Sequence, residues 1–156
     1  MDAVFKKMNF KSAHNVVVIN APQSFEVNID TMDGLTTFVR DFSAIEKTDF
    51  VLAFCTKQAE VDSVAAAAAV DKLEGDGLLW FAYPKGTSKR YKCDFNRDNG
   101  WAVLGSLGFE PVRMIAIDED WSALRFRRVG YIKTMTRSFA MTDEGKQRVG
   151  KNTEGV

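Results

Sequence analysis

Gly77-Leu-Leu-Trp-Phe-Ala-Tyr-Pro84-Lys85 is the stretch that decides how this chain is read. Leu78 to Tyr83 is an unbroken apolar and aromatic run, with glycine before it and proline after it. A strand with one wet face alternates polar and apolar residues. A run without alternation therefore reads as a strand buried on both faces. Such a strand needs cover on both sides, so the expectation is α/β: a single three-layer, Rossmann-like domain with a mostly parallel sheet between helices.

Two similar runs lie upstream. Asn15 to Asn20 contains Val-Val-Val-Ile and is stopped by Ala21-Pro22, and Phe50-Val-Leu-Ala-Phe-Cys55 is the other. Between them, Phe25 to Asp30 alternates like a strand, yet Phe25 and Ile29 also fit one helical turn. We read it as a helix, since parallel neighbours need a crossover there. Met32-Asp33-Gly34 reads as a turn and Thr37 to Phe42 as a short edge strand, with Arg40 and Asp41 arguing against full burial. Residues 1–10 read as a short helix with Val4 and Met8 on one side.

Lys57 to Leu73 is the strongest helix pattern, with Thr56 as N-cap and Gly75 as terminator. Val61, Val64, Ala65, Ala68 and Leu73 form its packing stripe. Beyond Lys85, a helix is expected from Asn96 or Asp98 to Leu107, ended by Gly108. Val112 to Ile117 and Trp121 to Val129 read as strands around an Asp118-Glu-Asp120 turn. That connection is too short for a crossover, so the sheet closes with a C-terminal antiparallel hairpin. The domain is placed at residues 1–133, with 134–156 a partly disordered tail.

Composition narrows the function classes. The chain has 156 residues, 46% hydrophobic and 27% charged, which is enough for one domain with a real core. Its 21 basic and 21 acidic residues cancel, so no global field draws it to nucleic acid, and nucleic-acid binding is not expected. Arg125, Arg127, Arg128, Lys133 and Arg137, interleaved with Phe126 and Tyr131, make a weak patch, and strand alternation splits Arg125 and Arg127 from Arg128. Two cysteines and one histidine are too few for a usual zinc centre, and Cys55 reads as a buried thiol. No apolar stretch is long enough for a membrane span, and the N-terminus has no signal-peptide pattern, so a cytoplasmic location is the expectation.

Three segments together resemble a known family: Leu79-Trp-Phe-Ala-Tyr-Pro84-Lys85, Leu107-Gly-Phe-Glu-Pro-Val-Arg-Met-Ile-Ala-Ile-Asp118 and Glu119-Asp-Trp-Ser-Ala-Leu-Arg-Phe-Arg-Arg128. They resemble the small bacterial proteins of the domain-of-unknown-function family numbered 3052, whose members share a Trp-x-x-x-Pro-Lys strand end and an Asp-x-x-Trp-Ser-x-Leu hairpin. The resemblance covers most of residues 10–129. It implies a compact α/β domain of methyltransferase-like topology and implies no particular activity. The first loop departs from the family's Gly-x-Pro-x-Gly-Phe pattern, reading Asn20-Ala21-Pro22-Gln23-Ser24-Phe25. Without glycine, and with Pro22 lacking an amide donor, that loop disfavours a standard dinucleotide or phosphate-loop site.

Candidate ligand-binding residues follow from strand ends, where open α/β sheets take ligands. Lys85 ends the central strand and offers a cation, Thr87 and Ser88 offer hydroxyls, and Asn20 ends the first strand. Asp118 and Trp121 sit at the hairpin, with Asp118 expected to cap the turn's amides and Trp121 to cover the core. Asp30, Asp33 and Asp41 are each candidates for a ribose-binding acid. Lys85 could instead pair with Asp118 or Asp94. Ser122 has no identifiable base, His14 preceding a strand at the wrong end, so no catalytic residue, metal or cofactor is singled out.

Two readings of function remain. One is a noncatalytic binding or interaction module on a degenerate methyltransferase-like fold, taking a small anionic ligand or a protein partner. The other is an enzyme acting on a small anionic or nucleotide-like ligand, with S-adenosylmethionine as a candidate cosubstrate and Lys85 as anchor. An enzyme is expected to show one crevice lined by Asn20, Lys85 and Asp118. A module is expected to fill it with Phe25, Trp101 or Trp121.

Overall fold

A computed structural model describes residues 1–13, 15–96 and 99–132. The expected tail from 134 onward and the position of His14 lie outside the described residues. Six strands form one sheet: β1 Asn15–Ile19, β2 Thr37–Val39, β3 Thr48–Phe54, β4 Leu73–Pro84, β5 Phe109–Ala116 and β6 Trp121–Arg128, in the order β2-β1-β3-β4-β6-β5. The first four run parallel, and β6 lies antiparallel to both β4 and β5. The mostly parallel α/β sheet with its C-terminal antiparallel hairpin is thus the observed architecture.

The apolar runs are explained by cover on both faces. One face carries Val17, Val51, Ala53, Leu79, Phe81 and Phe126, packed under α3 (Gln58–Ala65) and α4 (Ala102–Ser106). The other carries Val16, Val18, Phe50, Leu52, Trp80 and Ala82, packed under α1 (Ala3–Lys7) and α2 (Glu26–Thr31). Trp80 and Phe81 point to opposite faces as neighbours in a strand must, and each is wholly buried. Each such burial stabilises by about 1.5–3 kcal/mol.

Segment 25–30 is helical, as the crossover argument requires, and residues 37–39 form the short edge strand. Four local expectations need correction. The helix after β3 keeps α geometry only to Ala65 and continues as a π-helix over Ala66–Lys72. It passes straight into β4 at Leu73, and a wider turn fits more residues into the axial length available before that junction. Gly75 does not end this helix. It sits in β4 with φ +50, inside a bulge where β4 spends Leu73 to Leu78 against only Thr48 to Phe50 of β3. Thr56 is not the cap, because the carboxylate of Glu60 turns back to accept the amides of Thr56 and Lys57 at 3.0 and 3.1 Å. The helix expected from residue 96 or 98 begins only at Ala102. Ahead of it, Asn96 and Asn99 bridge to each other and Gly100 adopts φ +88.

Candidate ligand-binding site

The end of β4 opens into a cleft of about 830 Å³ lined by Lys85, Thr87, Ser88, Tyr91, Lys92, Cys93, Phe95 and Asn96, with Tyr83, Met114 and Ser122 below. Pro84 stops the strand and Lys85 opens the loop. The Lys85 amide donates to the Asp120 carbonyl at 2.8 Å, which pins the loop to the hairpin turn. Neither of the expected partners, Asp118 or Asp94, holds the Lys85 ammonium. Among the described residues it makes no hydrogen bond or ion pair. The Ser88 hydroxyl donates to Asp120 Oδ1 at 2.8 Å and accepts the Tyr91 amide at 3.2 Å. Ser88 therefore shapes the loop, while Thr87 stands exposed at the rim.

Asp118 and Trp121 have the structural roles expected of them. Asp118 Oδ1 accepts the amides of Asp120 and Trp121 at 2.8 and 2.9 Å, closing the turn. Trp121 is buried between Phe54 and Tyr91, at ring separations of 5.0 and 4.8 Å. Its indole Nε1 is buried with no hydrogen-bond partner among the described residues. Neither residue lines the Lys85 cleft.

Asn20 lies elsewhere on the same sheet edge. The chain leaves β1 for β2 on one side and returns to β3 on the other, so the switch point falls between β1 and β3. A second hollow of about 420 Å³ opens there, lined by Ile19, Asn20, Arg40, Asp41, Phe42, Glu60 and Ser63. Asn20 adopts φ 57, a left-handed conformation that asparagine tolerates, and its Nδ2 stands 3.5 Å from Glu60 Oε2. The single crevice of Asn20, Lys85 and Asp118 is therefore not formed: β3 and the start of α3 separate the first two residues. Phe25, Trp101 and Trp121 are all buried in the core, and both hollows stay open.

Of the three acids proposed for a ribose, the switch-point hollow holds Asp41 alone. Its carboxylate accepts the Ser43 amide at 2.9 Å, and that bond lowers its pKa. Arg40 beside it is committed, since Glu26 grips its guanidinium in two bonds of 2.8 Å. The amino end of α3 is likewise occupied: Glu60 takes two amides, and Asp94 Oδ1 accepts that of Gln58 at 2.7 Å. An incoming anion meets two carboxylates there, whereas the Lys85 cleft presents cations.

Sequence reasoning placed Asp120 in the hairpin turn without giving it a role at the loop after β4, and did not propose Glu60 or Lys92 as site residues. Asp120 carried a readable signal, as the third residue of an Asp-x-Asp turn. Lys92 and Glu60 carried none, because each is placed by how a loop or helix packs on a distant strand. Cys55 is buried and its thiol is pushed up to about 12, chiefly by burial. Cys93, half-buried at the cleft wall, is also raised by burial, and both thiols are free.

The fold is that of the methyltransferase-like, Rossmann-type α/β proteins. It is similar to magnesium protoporphyrin IX methyltransferase from Synechocystis PCC 6803, solved with bound SAH, at TM-score 0.51 and 12% identity over 80% of this chain and 78% of that one. A chain described as a candidate type 11 methyltransferase from Sulfolobus solfataricus aligns at TM-score 0.45 and 9% identity, over 81% of this chain and 89% of that one. No family model and no curated protein matches the sequence. Among the described residues no helix is long and apolar enough to cross a membrane.

Proposed function

We propose that this chain is a noncatalytic binding domain on a methyltransferase-like fold, and that its ligand is a small anionic molecule held in the cleft at the end of β4. The observation that carries this reading is the Lys85 ammonium, which has no partner among the described residues and lines an 830 Å³ cleft. A lysine is a compact charge able to swing onto a phosphate or carboxylate, and Lys92 and the Thr87 hydroxyl stand at the same cleft. Tyr83 and Phe95 supply apolar wall for the rest of the ligand. Kinship with the 3052 family belongs to the same proposal. It is supported by the pairing of Pro84 with Trp121 and of Lys85 with Asp120, which makes one unit of the two resembling motifs.

A second reading has its own support. Asp41 lies at the switch-point hollow, where nucleoside-binding sheets keep an acid for ribose hydroxyls. The Synechocystis enzyme of similar fold was solved with SAH. An S-adenosylmethionine-dependent enzyme is the reading that these two facts favour. Thermal shift with phosphorylated metabolites, nucleotides and S-adenosylmethionine separates the two, on the native chain, Lys85→Ala and Asp41→Asn. Stabilisation by phosphorylated compounds that is lost in Lys85→Ala supports the first. Stabilisation by S-adenosylmethionine that is lost only in Asp41→Asn supports the second. No shift with any compound overturns both.

A further inference from the structure

On the sheet face that carries α1 and α2, the β5–β6 hairpin bears three arginines. Arg125 and Arg127 follow Trp121 and Ala123 at steps of two along β6, so they share that face. Arg113 of β5 stands directly opposite Arg125 in the register. Like charges facing each other across a strand pair destabilise a sheet. Glu110 faces Arg127 in the register, and a second carboxylate lies close to both Arg125 and Arg127. Asp76, carried on the β4 bulge, binds Arg127 in two bonds of 2.8 and 2.6 Å, but it stays 4.0 Å from the Arg125 guanidinium.

Arg125 is the anomaly. Its side chain is 13% exposed, its Nε is buried without a partner, and it makes no hydrogen bond among the described residues. Burying a charged donor without an acceptor is costly, and sheets usually avoid it. Arg128, the neighbour on the opposite face, shows the ordinary solution: its guanidinium stacks over Phe109 and donates to the carbonyls of Leu73 and Gly75. Lys7 is likewise consumed, by the Ala116 carbonyl at 2.7 Å. Asp49 and Glu74 line the adjoining 460 Å³ hollow with Arg125 and form no ion pair with it.

We propose that Arg125 and Arg113 form an anion site for a phosphate group, with Arg127 held beside it by Asp76. A phosphate offers several acceptor oxygens and can satisfy two guanidinium groups at once, which one carboxylate turned toward Arg127 does not. The site lies at the opposite end of β4 from Lys85 and is independent of that cleft. The probe is inorganic phosphate, titrated into the ¹⁵N-labelled full chain while the arginine Nε–Hε resonances are followed, against sodium chloride at equal ionic strength. The expected result is a saturating shift of the Arg125 resonance with phosphate alone. Saturation should also appear in Lys85→Ala and weaken about tenfold in Arg113→Gln, a change at an exposed position that loses one charged bond. Arg125→Met keeps the apolar stem and removes the poorly paired charge, so it should fold, and the Arg113 and Arg127 resonances should no longer shift on adding phosphate. A linear shift, one equal in chloride, or one abolished by Lys85→Ala overturns the site.

Discussion

The Ser88 hydroxyl donates to the Asp120 carboxylate at 2.8 Å and joins the loop after β4 to the turn before β6. The same turn accepts the Lys85 amide through the Asp120 carbonyl, and the same hydroxyl accepts the Tyr91 amide. Three bonds thus fix the loop that carries the candidate ligand residues. Ser88→Ala removes two of them and should lower stability by about 1 kcal/mol in urea unfolding. Amide exchange should quicken at residues 86–92 and not at β1. Unchanged exchange in that loop would show that the loop is held by other means.

Asp94 caps a helix from outside it. Its Oδ1 accepts the Gln58 amide at 2.7 Å, while its own amide donates to the Thr56 carbonyl at 3.2 Å. Asp94→Ala should cost about 1 kcal/mol, in the range of a lost N-cap, and Asp94→Asn much less, since the amide oxygen still accepts. Equal losses in the two variants would mean that charge on the helix dipole, rather than the hydrogen bond, is what matters.

How far the sequence carried depends on whether a feature is local. The buried strands were legible because unbroken runs such as Leu78 to Tyr83 have one cheap explanation in a covered sheet. The Asp118 turn was legible because an aspartate reaches amides two and three residues on. The β4 bulge was not. Gly75 looked like a helix end, and nearby Gly77 is needed because the bulge folds back on its own chain: a Cβ there would lie 2.9 Å from the Glu74 carbonyl oxygen. The division between the Asn20 and Lys85 hollows was equally hidden. Both residues end strands on one edge, and only the strand order puts β3 between them.

Cys55 gives the alkaline prediction. Its thiol is raised from 9.0 to about 12 in the folded chain, mainly by burial. Below pH 9 the thiol is protonated in both states, so its contribution is fully present. Above that, the unfolded chain releases the proton first, and stability falls as pH rises toward 12. Cys55→Ala should flatten the loss of stability above pH 9, at the cost of a small cavity. In the native state at pH 8, iodoacetamide should reach Cys93 slowly and Cys55 only after unfolding. Mass mapping that finds Cys55 labelled as fast as Cys93 would contradict the burial argument.

Trp80, in the middle of the central strand, ties the amino-terminal segment to the sheet. Its Nε1 donates to the Met8 carbonyl at 3.1 Å, and Asp2 caps α1 through the amides of Val4 and Phe5 at 3.0 and 3.1 Å. Asp2 Oδ1 also accepts from Asn28 on α2, so the two helices of that face are held together. Trp80→Phe keeps most of the apolar volume but strands a buried carbonyl, and should cost about 1–3 kcal/mol. Asp2→Ala should cost about 1 kcal/mol through the lost cap. Both act on docking of residues 1–10, so the double variant should lose less than the sum of the two, a coupling that a double-mutant cycle in urea reads directly. Strict additivity would mean that α1 docks through Phe5 and Met8 alone, with the Trp80 bond contributing only locally.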